Sequence, residues 1–262
     1  MAISKMNQVL MYLYTNEWYR KLFFANPSKF LEKIEGLAKE ERKALELINQ
    51  DQVVHFSRSL LVKKRSKMLE RFEPLTTHFS SEMRKFFHDF YMINSLVPQE
   101  PKLDYIVRFG FFLSSAIPQA GLPESACELA DFITQKMQAR KNNVPQLTLH
   151  SLECKKENRP ILPDYVIINN YSFDMEELIK SFTPENAPNK EKCAYIMYSI
   201  DNKLHISLTS QALFEFLTMC TGAYTLGDIF KKFETKYKKD EIKKLETEIL
   251  PAMLKENQIY FK

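Results

Sequence analysis

Few side chains in this 262-residue chain stand at spacings that chemistry requires. The run His150-Ser-Leu-Glu-Cys154 brings imidazole, carboxylate and thiol together and could hold a metal ion. It lies in a polar stretch with no second cluster, so polar loop residues are the simpler reading, and no metal site is assigned. His55, His78 and His88 are scattered over helical segments, where partly buried or surface histidines are commoner than proton-transfer groups. The carboxylate pairs Glu40-Glu41 and Glu176-Glu177 read as solvated helix faces. Gly222 and Gly227 are the nearest approach to a phosphate loop, but no lysine follows them as such a loop demands. There is no His-Glu-x-x-His helix, nucleophile elbow or EF-hand loop. No catalytic residue is therefore assigned, and no cofactor is expected in this chain.

Binding leaves a stronger trace. KKFETKYKKDEIKK (231–244) holds seven lysines against three acids. In a helix-turn-helix these would meet DNA phosphates, but the run lacks the arginine, asparagine or glutamine that reads bases. A solvated face is the plainer alternative, for this run and for Lys63-Lys64-Arg65. Backbone groups offer a different activity. If Lys203, Leu204, His205, Ile206, Ser207 and Leu208 form the outer strand of a hairpin, its free N–H and C=O groups can accept an extended peptide. Ile242, Leu245, Ile249 and Met253 recur along one helix face and could wall a groove for the peptide's apolar side chains, unless they face the core alone. Proline at His205 or Ile206, which deletes a backbone donor, is expected to weaken such pairing. The basic surface is expected to draw an acidic peptide, at a rate that falls with salt.

These residues need elements to hold them. Apolar residues at helical spacing (Val9, Leu10, Leu13, Tyr14, Leu22, Phe23) predict a helix that Asn26-Pro27 stops. Further helices are read at PSKFLEKIEG, KEERKALELIN, DQVVHFSRSLLVKKRSKMLERF (Asp51 as N-cap), TTHFSSEMRKFFHDFYMIN, PKLDYIVRFGFFLSSAI and PESACELADFITQKMQARK. Residues 1–141 thus read as an all-α domain and 142–163, with three prolines, as a linker. From 164 to 262 strands come first: DYVIINNYSF, then CAYIMYSI and KLHISL joined at Asp201-Asn202, a pair suited to a tight hairpin. Three helices follow, the last carrying Pro251 as a kink, and QIYF could close as a short strand. The expected fold class is α+β: an all-α helical domain, then a winged-helix-like domain of three-stranded sheet plus three helices. The four cysteines stand far apart, as free thiols in a reducing compartment would. The chain shows neither a membrane-length apolar run nor a secretory leader, and a net charge of +4 is too mild to demand nucleic acid. A soluble cytoplasmic protein is expected.

Residues 164–262 resemble the PqqD-like RiPP recognition element. The likeness rests on the hairpin, then LTSQALFEFLTMCTGAYTLGDIFKKF, then a long helix ending in ENQIYF. Thr225-Leu226-Gly227-Asp228-Ile229 fits the family's "T-x-x-[DE]-I" helix. Asn257 or Gln258 stands where the family usually has a late glycine. Such domains bind the leader of a ribosomally made precursor peptide as a strand along the hairpin edge, against the last helix. Carried over, the contact strand is Lys203 to Leu208.

The segment from Phe23 to Phe72 is similar to the helical domain of partner proteins of multinuclear non-heme iron oxidative enzymes. Phe23, Asn26 and Pro27 fit a "F-x-x-[DN]-P" opening, and Leu37, Glu40, Glu41, Ala44 and Leu45 fit a "L-x-x-E-E-x-x-A-L" step. Phe56, Ser59, Leu60, Lys64 and Arg65 approximate a "F-x-x-S-L-x-x-K-R" helix. The two resemblances imply a non-catalytic subunit in RiPP biosynthesis, hetero-oligomeric with the iron enzyme. It would capture the leader and deliver a cysteine-containing core, the iron residing in the partner enzyme. The competing reading is a winged-helix DNA-binding transcriptional regulator.

Overall fold

A computed structural model describes residues 4–94, 101–145, 154–184 and 191–262. The fold is α+β, an N-terminal helical part followed by a C-terminal sheet covered by helices. Two compact units divide between Glu100 and Pro101.

The first unit is helical throughout its described residues: α1 (Lys5–Thr15), α2 (Glu17–Ala25), α3 (Pro27–Glu32), α4 (Lys39–Glu46), α5 (Gln50–Leu69), α6 (Leu75–His78) and α7 (Ser80–Asn94). The stripe from Val9 to Phe23, expected as one helix, is two. Asn16 takes an extended backbone between them, and its side chain accepts the Tyr19 N–H as cap of α2. Arg20 then donates to the Leu13 and Tyr14 carbonyls that the break exposes. Asn26 caps α3 through the Lys29 N–H, with Pro27 at its first position. Asn49, not Asp51, caps α5. Val9, Leu13, Phe23, Leu31, Leu37, Leu45 and Val53 close one core.

The second unit opens with α8 (Lys102–Gln119) and α9 (Glu124–Lys141). A domain ending at 141 was expected, but α9 packs on the sheet that follows. Tyr171 donates to Asp131 at 2.9 Å, the Ser172 N–H donates to Glu128 at 2.8 Å, and the Phe132 ring meets Tyr171 and Tyr195 edge-on. That sheet is antiparallel in the order β2 (Ile167–Tyr171), β3 (Cys193–Ile200), β4 (Lys203–Thr209), with α10 (Met175–Ser181) between β2 and β3. Tyr195 and Met197 point to the α9 side. Ile196 and Tyr198 point to the other side, into the core of α11 (Gln211–Met219), α12 (Leu226–Glu234), α13 (Lys239–Lys244) and α14 (Leu250–Lys255). Flanked by helices on both faces, β3 is buried along its length, which is why its sequence is a continuous apolar run without alternation.

The described part of the expected linker is also tied down. β1 (Pro160–Ile161) pairs with β5 (Tyr260–Phe261), and the stretch before it supplies the Lys156 and Asn158 carbonyls to the N–H groups of Gly227 and Leu226. Gly222, at φ +77°, lies so close to Ile161 that a Cβ would sit 3.0 Å from its side chain. Pro251 does not begin a separate helix. The residues just before it, Leu245–Ile249, widen into a π-turn that joins α13 to α14.

Candidate functional site

The hairpin sets the geometry of the site. Asp201 (φ 49°) and Asn202 (φ 64°) are both left-handed, the signature of a two-residue turn matched to the twist of its strands. Such a turn makes its flanking pair, Ile200 and Lys203, exchange both hydrogen bonds, and the pattern then alternates along the ladder. His205, Ser207 and Thr209 therefore turn their backbone groups toward β3. Leu204, Ile206 and Leu208 turn theirs outward. The opposite side of β3 obeys the same parity: the Val144 N–H donates to the Ser199 carbonyl, and the Asp201 N–H donates to the Val144 carbonyl. Among the described residues, no strand pairs with the outer edge of β4. A donor at His205 was expected on that edge. It is spent inside the sheet, so Ile206 alone of the two serves a visiting peptide.

Side chains follow the opposite sorting. Leu204, Ile206 and Leu208 share a face with Met197 and Tyr195, whereas His205, Ser207 and Thr209 share one with Tyr198 and Ile196. His205 stacks on the Tyr198 ring at 4.8 Å and an interplanar angle of 6°. On this second face a cleft follows β4 between the start of α11 and the helices α13–α14. One compartment, about 380 Å³, is walled by Leu208, Thr209, Leu213, Phe233, Tyr237, Ile242, Leu245 and Ile249. An adjoining one, about 310 Å³, shares Leu208, Thr209, Leu213 and Ile249 and continues to Ile196, Ser207, Met253, Glu256 and Gln258.

All four helix residues singled out from the sequence thus line the cleft. Ile242, Leu245 and Met253 are buried, so they form its floor while also closing the core, and Ile249 stands half-exposed between the compartments. Of the strand residues, Ser207 and Leu208 line it. Lys203, Leu204, His205 and Ile206 do not: Leu204 and Ile206 contribute the outward backbone edge, whereas Lys203 and His205 spend their backbone groups on β3 and His205 stacks on Tyr198. Sequence reasoning passed over Leu213, Tyr237 and a polar cluster at the far end. There Gln258 donates to the Tyr198 hydroxyl at 2.8 Å and to Glu256 at 2.6 Å, and Tyr198 donates to Glu256 at 3.2 Å. Burial, and then the Glu256 charge, push the Tyr198 phenol up. The amphipathic period of α11 carries Leu213, but no local pattern marks Gln258.

The charge of the cleft differs from what the lysine run suggested. Glu241, Glu248 and Glu256 line it against the single Lys244. Lys236 instead grips Glu215 at 2.6 Å, and Lys232 lies 4.0 Å above the Tyr224 ring. Nothing about this lining favours an acidic peptide.

The remaining candidates stay apart. His55, His78 and His88 lie on α5, α6 and α7, and His150 falls outside the described residues, as does Glu153. The cysteines are unpaired; Cys154 is exposed, and burial lifts the Cys220 thiol to about 12. In the first unit, Phe23, Leu37 and Leu45 are core and Glu41 caps α4 through the Ala38 N–H. Phe56 and Lys64 are exposed on α5, with Ser59 half-buried between them. Among the described residues no helix is long and apolar enough to cross a membrane. No protein-family model matches the chain, and no curated protein matches it.

Proposed function

We propose that the chain is a non-catalytic partner subunit that binds the leader of a ribosomally made precursor peptide by strand addition to β4. It delivers the cysteine-containing core to a multinuclear iron oxidative enzyme. The observation that carries the peptide-binding half is the outward-facing backbone of Leu204, Ile206 and Leu208 beside a cleft floored by the last helices. The enzyme-docking half draws on the residue likeness in the first unit. Holding leader and enzyme on one scaffold raises the local concentration of the core at the iron site, which is the whole of the chain's chemical contribution.

The test is affinity capture of the tagged full chain from cells expressing its genomic neighbours. Co-elution with an iron-containing enzyme and a short cysteine-bearing peptide is expected. A chain that elutes without either overturns the proposal. The second reading, a DNA-binding regulator, draws on the exposed Lys231, Lys238, Lys239 and Lys243. It requires tight binding to mixed duplex DNA that falls steeply with salt in a gel-shift titration.

A further inference from the structure

We infer that the peptide received by β4 is basic at one defined position: a lysine or arginine at the α14 end of the cleft, with a large apolar residue on the same strand face toward α13. This rests on the strand-addition reading and adds the chemistry of the occupant.

The compartment at the α14 end has apolar walls and two carboxylates, Glu248 and Glu256, and neither lysine nor arginine lines it. Neither carboxylate forms an ion pair among the described residues. Glu256 is oriented, because Tyr198 and Gln258 both donate to its Oε2, leaving Oε1 for an incoming donor. An apolar stem that ends in a cation suits such a place, since the methylenes lie along apolar walls while the head reaches the carboxylates. The compartment beside α13 is different. Its floor is Phe233, Tyr237, Ile242 and Leu245, and its rim charges, Glu241 and Lys244, offset each other. That end takes an uncharged, bulky side chain.

Spacing follows from element geometry. A strand advances about 3.3 Å per residue and presents every second side chain to one face. The apolar and basic residues, sharing one face, therefore stand an even number of positions apart in the bound peptide.

The experiment selects peptides from a random display library on the immobilised full chain. An enriched peptide is then titrated by fluorescence anisotropy against wild type, Ile206→Pro and Glu248→Lys. Enrichment of Lys or Arg at an even number of positions from Leu, Ile or Phe is expected. Glu248 is exposed, so its replacement leaves the fold intact, as circular dichroism would verify. Glu248→Lys should weaken the peptide by about fivefold, the scale of a partly solvated charge pair, and a Lys-to-Glu peptide should regain that loss on the variant. Peptides that need the Ile206 donor but show no basic preference, or ignore Glu248→Lys, overturn this inference and leave strand addition standing. Peptides indifferent to Ile206→Pro, or no enrichment at all, overturn both.

Discussion

At Gly110, α8 approaches α9 so closely that a Cβ would lie 2.0 Å from the Thr134 hydroxyl oxygen. Thr134 is fully buried and donates to the Ala130 carbonyl, so it has nowhere to withdraw. Gly110→Ala is expected to destabilise the second unit by about 1–3 kcal/mol, the cost of overpacking, read as an earlier midpoint in urea. Asn257 makes the opposite point about side-chain identity. It holds φ +59°, a left-handed backbone that glycine favours, and it ends α14 in a Schellman motif: its N–H donates to the Leu254 carbonyl and the Gln258 N–H donates to the Met253 carbonyl. Asparagine tolerates this left-handed backbone and alanine does not. Asn257→Ala should cost about 1 kcal/mol, while Asn257→Gly keeps the melting temperature near native. Equal melting temperatures for the two variants would contradict the role assigned to this turn.

Along β4 a single residue of offset decides what a substitution does. Proline at Ile206 removes an N–H that points away from the sheet, which an edge strand tolerates. Proline at His205 removes one that bonds β3. Ile206→Pro should fold normally and lose peptide binding, whereas His205→Pro should lower the melting temperature whether or not peptide is present. Matched thermal melts and peptide titrations check both. If Ile206→Pro binds like wild type, the outer edge is not where the peptide sits. The helices opposite the strand were legible in the sequence because their apolar residues serve core and cleft at once. The edge parity was not, since it depends on which pair flanks the turn and no side chain records it.

Across the molecule, helices and hairpin could be read from periodicity and turn chemistry, while the grouping of elements could not. An apolar stripe on α9 says that the helix buries a face but not against what. The bonds that the Tyr171 hydroxyl donates to Asp131 and the Ser172 N–H donates to Glu128 join positions far apart in sequence. The strap before β1 is held through its own backbone carbonyls, which accept the Leu226 and Gly227 N–H groups, so its composition still reads as linker. The same buried contacts predict an alkaline response of the second unit. Burial, joined by Asp131 at Tyr171 and Asp174 at Tyr195, raises these phenols above their ordinary value of 10.0, and Tyr198 is raised likewise. The unfolded chain gives up these protons first. Stability from this source is whole below pH 10 and falls as pH climbs from there toward the folded values. Urea midpoints measured upward from neutral pH should hold until about pH 10 and then drop, and Tyr171→Phe should flatten the drop. A decline that begins well below pH 10, or one unchanged in Tyr171→Phe, would assign the alkaline response elsewhere.

Residue-resolved amide hydrogen exchange, measured on the full chain with and without a bound peptide from the display selection, tests strand addition most directly. Slower exchange at Leu204, Ile206 and Leu208, with His205 and Ser207 unchanged, is the predicted alternating pattern. Exchange at those three amides that stays as fast as in the free chain, while the peptide is bound, would contradict it.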